Sequence, residues 1–239
     1  MGIAVVTGAA SGIGRATAAA LLETGWRVVV ADLDEGALRS GFHDDERVLP
    51  VRVDVSDSGS IRALFEAADG FGQVTGVAHA AGITSVADQR VEDVDEELFD
   101  RTIAVNLRGT FLVAKHAVPR LRAAGGGTIV NVGSLASLRG AGGAAYVSSK
   151  HGVLGLSRTI SAHYTAENIR CVTVAPGAID TPMLALARQK PMVGGPPPGT
   201  LPRDGRPEEV AALIRFLLSE DAAFISGGAI AIDGGATQY

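Results

Sequence analysis

The chain has 239 residues, 46% of them hydrophobic and 20% charged, with a formal net charge of -5. That much apolar material builds one sizeable core and excludes a disordered polymer. An acidic chain without a basic run carries no electrostatic footprint for nucleic acid and is a poor partner for an anionic membrane surface.

The first residues run straight into an apolar strand without a charged leader, so no signal peptide is expected, and myristoylation at Gly2 is set aside for the same reason. Short Val- and Ile-rich runs follow at residues 3–6, 27–31, 48–53, 74–80, 127–132, 169–175 and 229–232. They mostly lack polar alternation, the pattern of strands covered on both faces. Helical spacing marks residues 12–23, 58–68 and 207–218. Ser56-Asp57 reads as a helix cap, and Arg206-Pro207-Glu208-Glu209 places a proline and two acids where a helix start favours them. Repeated strand–helix alternation predicts an α/β fold, a parallel sheet with helices on both faces and ligands at the carboxyl ends of the strands. The whole of residues 1–239 reads as one domain. Residues 191–199, rich in proline and glycine, form neither a regular helix nor a central strand, which leaves a lid or a plain surface connection. No apolar stretch is long and charge-free enough to span a bilayer. The single cysteine, Cys171, excludes an internal disulfide, suits a reducing cytoplasmic compartment and reads as a core residue rather than a catalytic thiol.

The first strand feeds Thr7-Gly8-Ala9-Ala10-Ser11-Gly12-Ile13-Gly14. Gly8 takes a tight turn, Gly12 admits a pyrophosphate close to the backbone, and Gly14 lets the next helix pack on the strand; the free N–H groups at that helix's N-terminus then face the phosphates. A glycine-rich turn without a ligand is the alternative. Asp32 ends the second strand about 20 residues later, where an acid accepts hydrogen bonds from an adenosine ribose. Its carboxylate repels a 2′-phosphate, Asp34 adds to this, and neither Ser11 nor Leu33 supplies a cation, so NAD is expected over NADP. Asp32 also suits a turn acid or a cap for the next helix. Asp54 offers an adenine-edge contact or a cap, and the small Ala80-Ala81-Gly82 lets a cofactor lie against the backbone. After the sixth strand, the backbone of Pro176-Gly177-Ala178-Ile179-Asp180-Thr181 and the Thr181 side chain suit a carboxamide.

Tyr146 and Lys150, four apart, share one helix face, where an ammonium stabilises a phenolate and brings it toward proton exchange near neutral pH. An ordinary amphipathic surface has the same spacing. Ser134, 12 residues before Tyr146, follows the fifth strand, and its hydroxyl suits a substrate oxygen. Ser137 competes for that role, and a plain turn serine is the bland alternative. Asn106, in an apolar helical segment, either holds a water beside Lys150 or braces the helix. No Gly-x-Ser-x-Gly elbow is present. His43, His79, His116, His151 and His163 have no metal-ligand spacing, so no catalytic metal is expected.

In order and spacing, the glycine motif, Asp54-Val55, Asn106, Ser134, Tyr146-x-x-x-Lys150, Pro176-Gly177, Thr181 and the tail Ile225-Ser226-Gly227-Gly228 to Asp233-Gly234-Gly235 resemble the short-chain dehydrogenase/reductase family, in its short single-domain branch, over nearly the whole chain. The resemblance implies a doubly wound, seven-stranded parallel sheet of the Rossmann type and a homotetramer. It implies Tyr146 as general acid/base, Lys150 lowering its pKa and binding the nicotinamide ribose, Ser134 orienting the substrate, Asn106 holding a relay water, and a substrate loop at 182–206. One departure stands out: the family's Asn-Asn-Ala-Gly reads His79-Ala80-Ala81-Gly82 here.

The leading expectation is NAD-dependent hydride transfer with a secondary alcohol or ketone. An NADPH-type ketoacyl or polyketide ketone reductase is the nearest alternative, opposed by Asp32. A non-catalytic NAD-sensing protein is another, opposed by the complete Asn106, Ser134, Tyr146 and Lys150 set. An epimerase or dehydratase would need a further substrate domain. Met183, Leu184, Leu186, Met192 and Val193 suggest an apolar lid and a hydrophobic ligand.

Overall fold

The computed structural model describes residues 2–43, 45–140, 142–189 and 200–238. Its strands are β1 (Ile3–Thr7), β2 (Arg27–Asp32), β3 (Val48–Arg52), β4 (Val74–His79), β5 (Gly127–Val132), β6 (Ile169–Pro176) and β7 (Ala229–Ile232). They form one seven-stranded sheet in the order β3-β2-β1-β4-β5-β6-β7, with every pairing parallel. The strand order reverses between β1 and β4, which opens a crevice at their carboxyl ends.

Eight helices connect them among the described residues: α1 (Gly12–Glu23), α2 (Glu35–Gly41), α3 (Ser58–Phe71), α4 (Glu96–Ile103), α5 (Gly109–Ala123), α6 (Ala144–Tyr164), α7 (Pro182–Ala187) and α8 (Pro207–Leu218). Because strand side chains alternate, each strand feeds two cores. Val5, Val29, Val77 and Ile129 pack with Leu64 and Phe65 of α3 and Val113 of α5. Val6, Val30, Ala78 and Val130 pack on the other face with Leu21 of α1 and Ile214 and Leu217 of α8. Both faces are dry, hence the unbroken apolar runs; each buried Val, Leu, Ile or Phe side chain contributes about 1.5–3 kcal/mol by leaving water.

The expected caps are present at α3 and α8. Asp57 accepts the Ser60 N–H at 2.6 Å, and Glu209 accepts the Arg206 N–H at 2.7 Å with Pro207 opening the helix. At α2 the cap is Asp34, whose carboxylate accepts from Ala37 at 2.9 Å. Asp32 is thereby released from the capping role that its position also suited.

Two segments differ from expectation. The substrate loop expected at 182–206 opens on a short helix: Thr181 caps α7, and Pro182 fits its first position, where no N–H is needed. The lid or surface connection expected at 191–199, with Met192 and Val193, lies outside the described residues. Between α4 and α5 the helix continues through a π-helical turn, Ala104–Arg108, which buries Asn106. Such a turn inserts one residue into the helical repeat and re-aims its side chains.

Candidate active site

The carboxyl ends of the central strands and the start of α7 enclose a cavity of about 540 Å³, within the range that holds small ligands and cofactors. Every residue expected at the cofactor borders it: Gly8, Ser11, Gly12, Ile13 and Gly14 from the glycine loop; Asp32, Leu33, Asp54 and Val55 from the ends of β2 and β3; Ala80, Ala81 and Gly82 after β4; and Pro176, Gly177, Ile179 and Thr181 after β6. Ser134, Tyr146 and Lys150 border it as well. Asn106 is not on its wall.

The glycine loop fits a dinucleotide. Ser11 makes no side-chain cap, and the first turn of α1 holds no acid, so its N–H groups remain for an anion. A Cβ on Gly14 would lie 2.1 Å from the Gly8 carbonyl oxygen, so only glycine lets α1 approach the loop this closely. Gly8 has φ +70, and a Cβ there would meet the Ala80–Ala81 backbone within 2.9 Å. The loop and the β4 turn thus form one cradle. Asp32 reaches into it from β2: one carboxylate oxygen accepts the Ala10 N–H at 3.1 Å and the other the Asp34 N–H at 3.2 Å. Asp54 closes its own turn by accepting the Ser56 N–H and hydroxyl at 2.8 and 2.6 Å, while Asp57 caps α3.

At the other end, Tyr146 stands in the first turn of α6 and Lys150 one turn on. Burial pushes the Tyr146 phenol above its usual range, and a hydrogen bond with Ser134 pulls the other way. The Lys150 ammonium donates to the Val132 carbonyl at 2.9 Å and lies 5.7 Å from the Tyr146 ring centroid. Burial also pushes Lys150 down to about 8. Ser134 meets the cavity and the phenol; Ser137 is buried and instead accepts the Ser134 N–H at 3.2 Å. Asn106 ties two segments together: its oxygen accepts the Ile83 N–H at 2.8 Å, and its amide donates to the Ile83 carbonyl and Ser149 hydroxyl, both at 3.0 Å. These bonds join the Ile83 segment to α6.

The His79 departure is accommodated by burial. Its Nδ1 lies 2.7 Å from the Thr7 hydroxyl, which also accepts the Ala81 N–H at 3.3 Å. Burial, helped by nearby Lys150, pushes His79 down to about 3, so the ring is neutral. Its Nε2 has no hydrogen-bond partner among the described residues, and neither do Asn131 Oδ1 and Thr173 Oγ1, in register on β5 and β6. Cys171 is buried, and burial pushes its thiol up to about 12, away from the thiolate form. Among the described residues no cluster suits a metal, and no helix is long and apolar enough to cross a membrane.

Sequence reading missed Asp88. It is 4% exposed and accepts the Ala145 and Tyr146 N–H groups at 3.0 and 2.8 Å. It also missed Ile83, Thr84 and Arg101 on the cavity wall. Local sequence carries no signal for any of them.

A family model described as enoyl-(acyl carrier protein) reductase matches residues 8–237. The chain is 42% identical to cis-4-hydroxycyclohexanecarboxylate dehydrogenase of Sinomonas cyclohexanicum, covering 98% of this chain and 96% of that one. It is 36% identical to cyclohexanol dehydrogenase of an Acinetobacter species, covering 99% and 95%. Among solved structures, levodione reductase superposes with a TM-score of 0.91 at 32% identity, covering 99% of this chain and 97% of that one.

Proposed function

Because the chain belongs to the short-chain dehydrogenase/reductase family, oxidoreductases of CH–OH groups that use a nicotinamide cofactor, we propose that it transfers a hydride between NAD and a secondary alcohol or ketone, with Tyr146 exchanging the alcohol proton. The observation that carries this is that Tyr146, Ser134 and Lys150 share the wall of a cavity whose other end is the glycine cradle. A bound nicotinamide supplies the hydride acceptor, or the donor in the reverse direction. In alcohol oxidation the C–H bond breaks with its electron pair, and the hydroxyl proton passes to the Tyr146 oxygen. Ser134 holds the substrate oxygen. Lys150, one turn along α6, binds the nicotinamide ribose and supplies the positive charge that favours a phenolate. The relay water belongs near Asn106.

NAD is favoured over NADP by the Asp32 carboxylate at the end of β2, on the cavity wall next to uncharged Leu33. A 2′-phosphate beside that carboxylate would meet like charge in a partly desolvated site. Substrates are small and largely apolar, preferably alicyclic. Ile83, Met183 and Leu184 on the wall support this, as do the ring alcohols named for the two curated relatives. A cytoplasmic homotetramer is the matching assembly. Phe111 on α5, Phe216 on α8 and the fully exposed Phe224 are apolar surfaces suited to burial between copies.

The test is reduced-nicotinamide absorbance with NAD or NADP against aliphatic, alicyclic, steroid and sugar alcohols. Turnover with NAD on cyclohexanol-type substrates is the expected result. Exclusive use of NADPH with ketoacyl substrates would favour the ketone-reductase alternative, and NADH binding without turnover on any of them would favour the sensor.

A further inference from the structure

We infer that Asp88 is a positioning residue, a buried carboxylate that sets the place of Tyr146 by clamping the first turn of the helix that carries it. The inference rests on the reading of Tyr146 as proton carrier.

A helix start leaves backbone donors without intrahelical partners. In α6 the N-cap is Gly143, which has no side chain to offer. The loop after β4 supplies the missing acceptors. Ala144 donates to the Gln89 carbonyl at 2.9 Å, and Ala145 and Tyr146 donate to the two Asp88 oxygens at 3.0 and 2.8 Å. Val147 then closes onto Gly143 at 3.0 Å. Charge-assisted bonds of this kind are short and about twice as strong as neutral ones, and a negative charge at a helix N-terminus is favoured by its dipole. Gly143 leaves the space: a Cβ there would lie 2.2 Å from the Asp88 carboxyl carbon.

Tyr146 is gripped at its carbonyl too. That oxygen accepts from the Ser149 hydroxyl at 2.8 Å, Ser149 accepts from Asn106, and Asn106 holds both main-chain groups of Ile83. Ile83 and Thr84 border the cavity. The segment 83–88 therefore forms the substrate wall at one end and fastens the Tyr146 backbone at the other. Asp88 bonds the Tyr146 main chain and is not on the cavity wall that Ser134 and Tyr146 share. It acts through the placement of Tyr146 and takes no part in the proton's path.

The experiment compares Asp88→Ala, Asp88→Asn and Gly143→Ala with the parent enzyme. It measures kcat and KM for a secondary alcohol, the NADH dissociation constant, the melting temperature, and hydrogen exchange at the Ala145 and Tyr146 amides. Misplacement of a reacting group by about 1 Å costs up to about a hundredfold in rate, so Asp88→Ala is expected to lower kcat about tenfold to a hundredfold. NADH affinity should stay within about twofold, and the two amides should lose protection. Asp88→Asn, which keeps one acceptor, should recover much of kcat, and Gly143→Ala should act like Asp88→Ala by displacing the carboxylate. Unchanged kcat in Asp88→Ala with both amides exposed would overturn the inference. So would a kcat loss in folded Asp88→Ala that NADH affinity matches and Asp88→Asn does not relieve. Tyr146→Phe is run alongside: if it retains activity, the proton-carrier reading fails, while the amide protection still reports whether Asp88 holds the helix.

Discussion

The glycine cradle and the Tyr146 end of the crevice stand on one sheet and are held by different means. The cradle is made of neighbours in the chain: β1, its turn and the first turn of α1, joined by Asp32 from the next strand. Its specificity is in the backbone, where a missing Cβ and free N–H groups do the work. The Tyr146 end is assembled on α6 from three distant segments, which carry Ile83 and Asp88, Asn106, and Ser134. Its specificity is in buried side chains whose charges are moved by their surroundings. A backbone cradle tolerates a changed β4 turn, so His79-Ala80-Ala81-Gly82 still closes it. A side-chain assembly is sensitive to each member.

Substitutions at each end should break this contrast in different currencies. Tyr146→Phe removes the proton carrier and leaves the cradle whole, so turnover should fall by about 10³-fold, a typical share for general acid–base catalysis. NADH titration by fluorescence should give nearly the parent affinity, and substantial remaining turnover would remove Tyr146 from its role. Gly14→Ala does the opposite. Its Cβ, 2.1 Å from the Gly8 oxygen, pushes loop and helix apart, and NADH affinity should drop by at least about tenfold, or about 1.4 kcal/mol. Parent-like affinity in that variant would mean that the loop is not the pyrophosphate seat. Asp32→Ala should leave turnover with NAD within several-fold and narrow the NAD-to-NADP preference by roughly tenfold, the scale of one charge-assisted contact. An unchanged ratio of kcat/KM values would locate selection elsewhere.

The smallest effect sharpens the boundary between the two ends. His79 is pushed from 6.5 to about 3 in the fold, so between those values the unfolded chain binds a proton that the folded chain refuses. Stability from this site is therefore complete above about pH 6.5 and is lost as pH falls toward about 3. His79→Asn lacks that titration. Its melting temperature should decline less steeply than the parent's between about pH 7 and pH 4.5. Equal slopes would show that His79 is not buried neutral.

Much of this was legible in the sequence. The strand runs, the glycine loop, Asp32 and the Tyr146–Lys150 spacing depend on residues close in the chain, whose φ preferences, turn chemistry and side-chain period are local properties. Asp88 was not legible. It lies in a stretch that also holds Glu92, Asp93 and Asp95, and no local feature marks it among them. Its partners come 57 and 58 residues later. α7 was not read because the segment after Thr181 was taken from the resemblance as a substrate loop, although Pro182 suits a first helical position.

The sequence by itself determined the parallel α/β sheet and the backbone cradle for a dinucleotide, because dry strands and glycine turns are written in consecutive residues. Only the tertiary structure decided which acid caps α2, that Asn106 fastens Ile83, that Lys150 is pushed to about 8 and Tyr146 upward, and that Asp88 holds the Tyr146 backbone. Those outcomes depend on burial and on hydrogen bonds between segments far apart in the chain, and desolvation exists only once the segments have closed around the group.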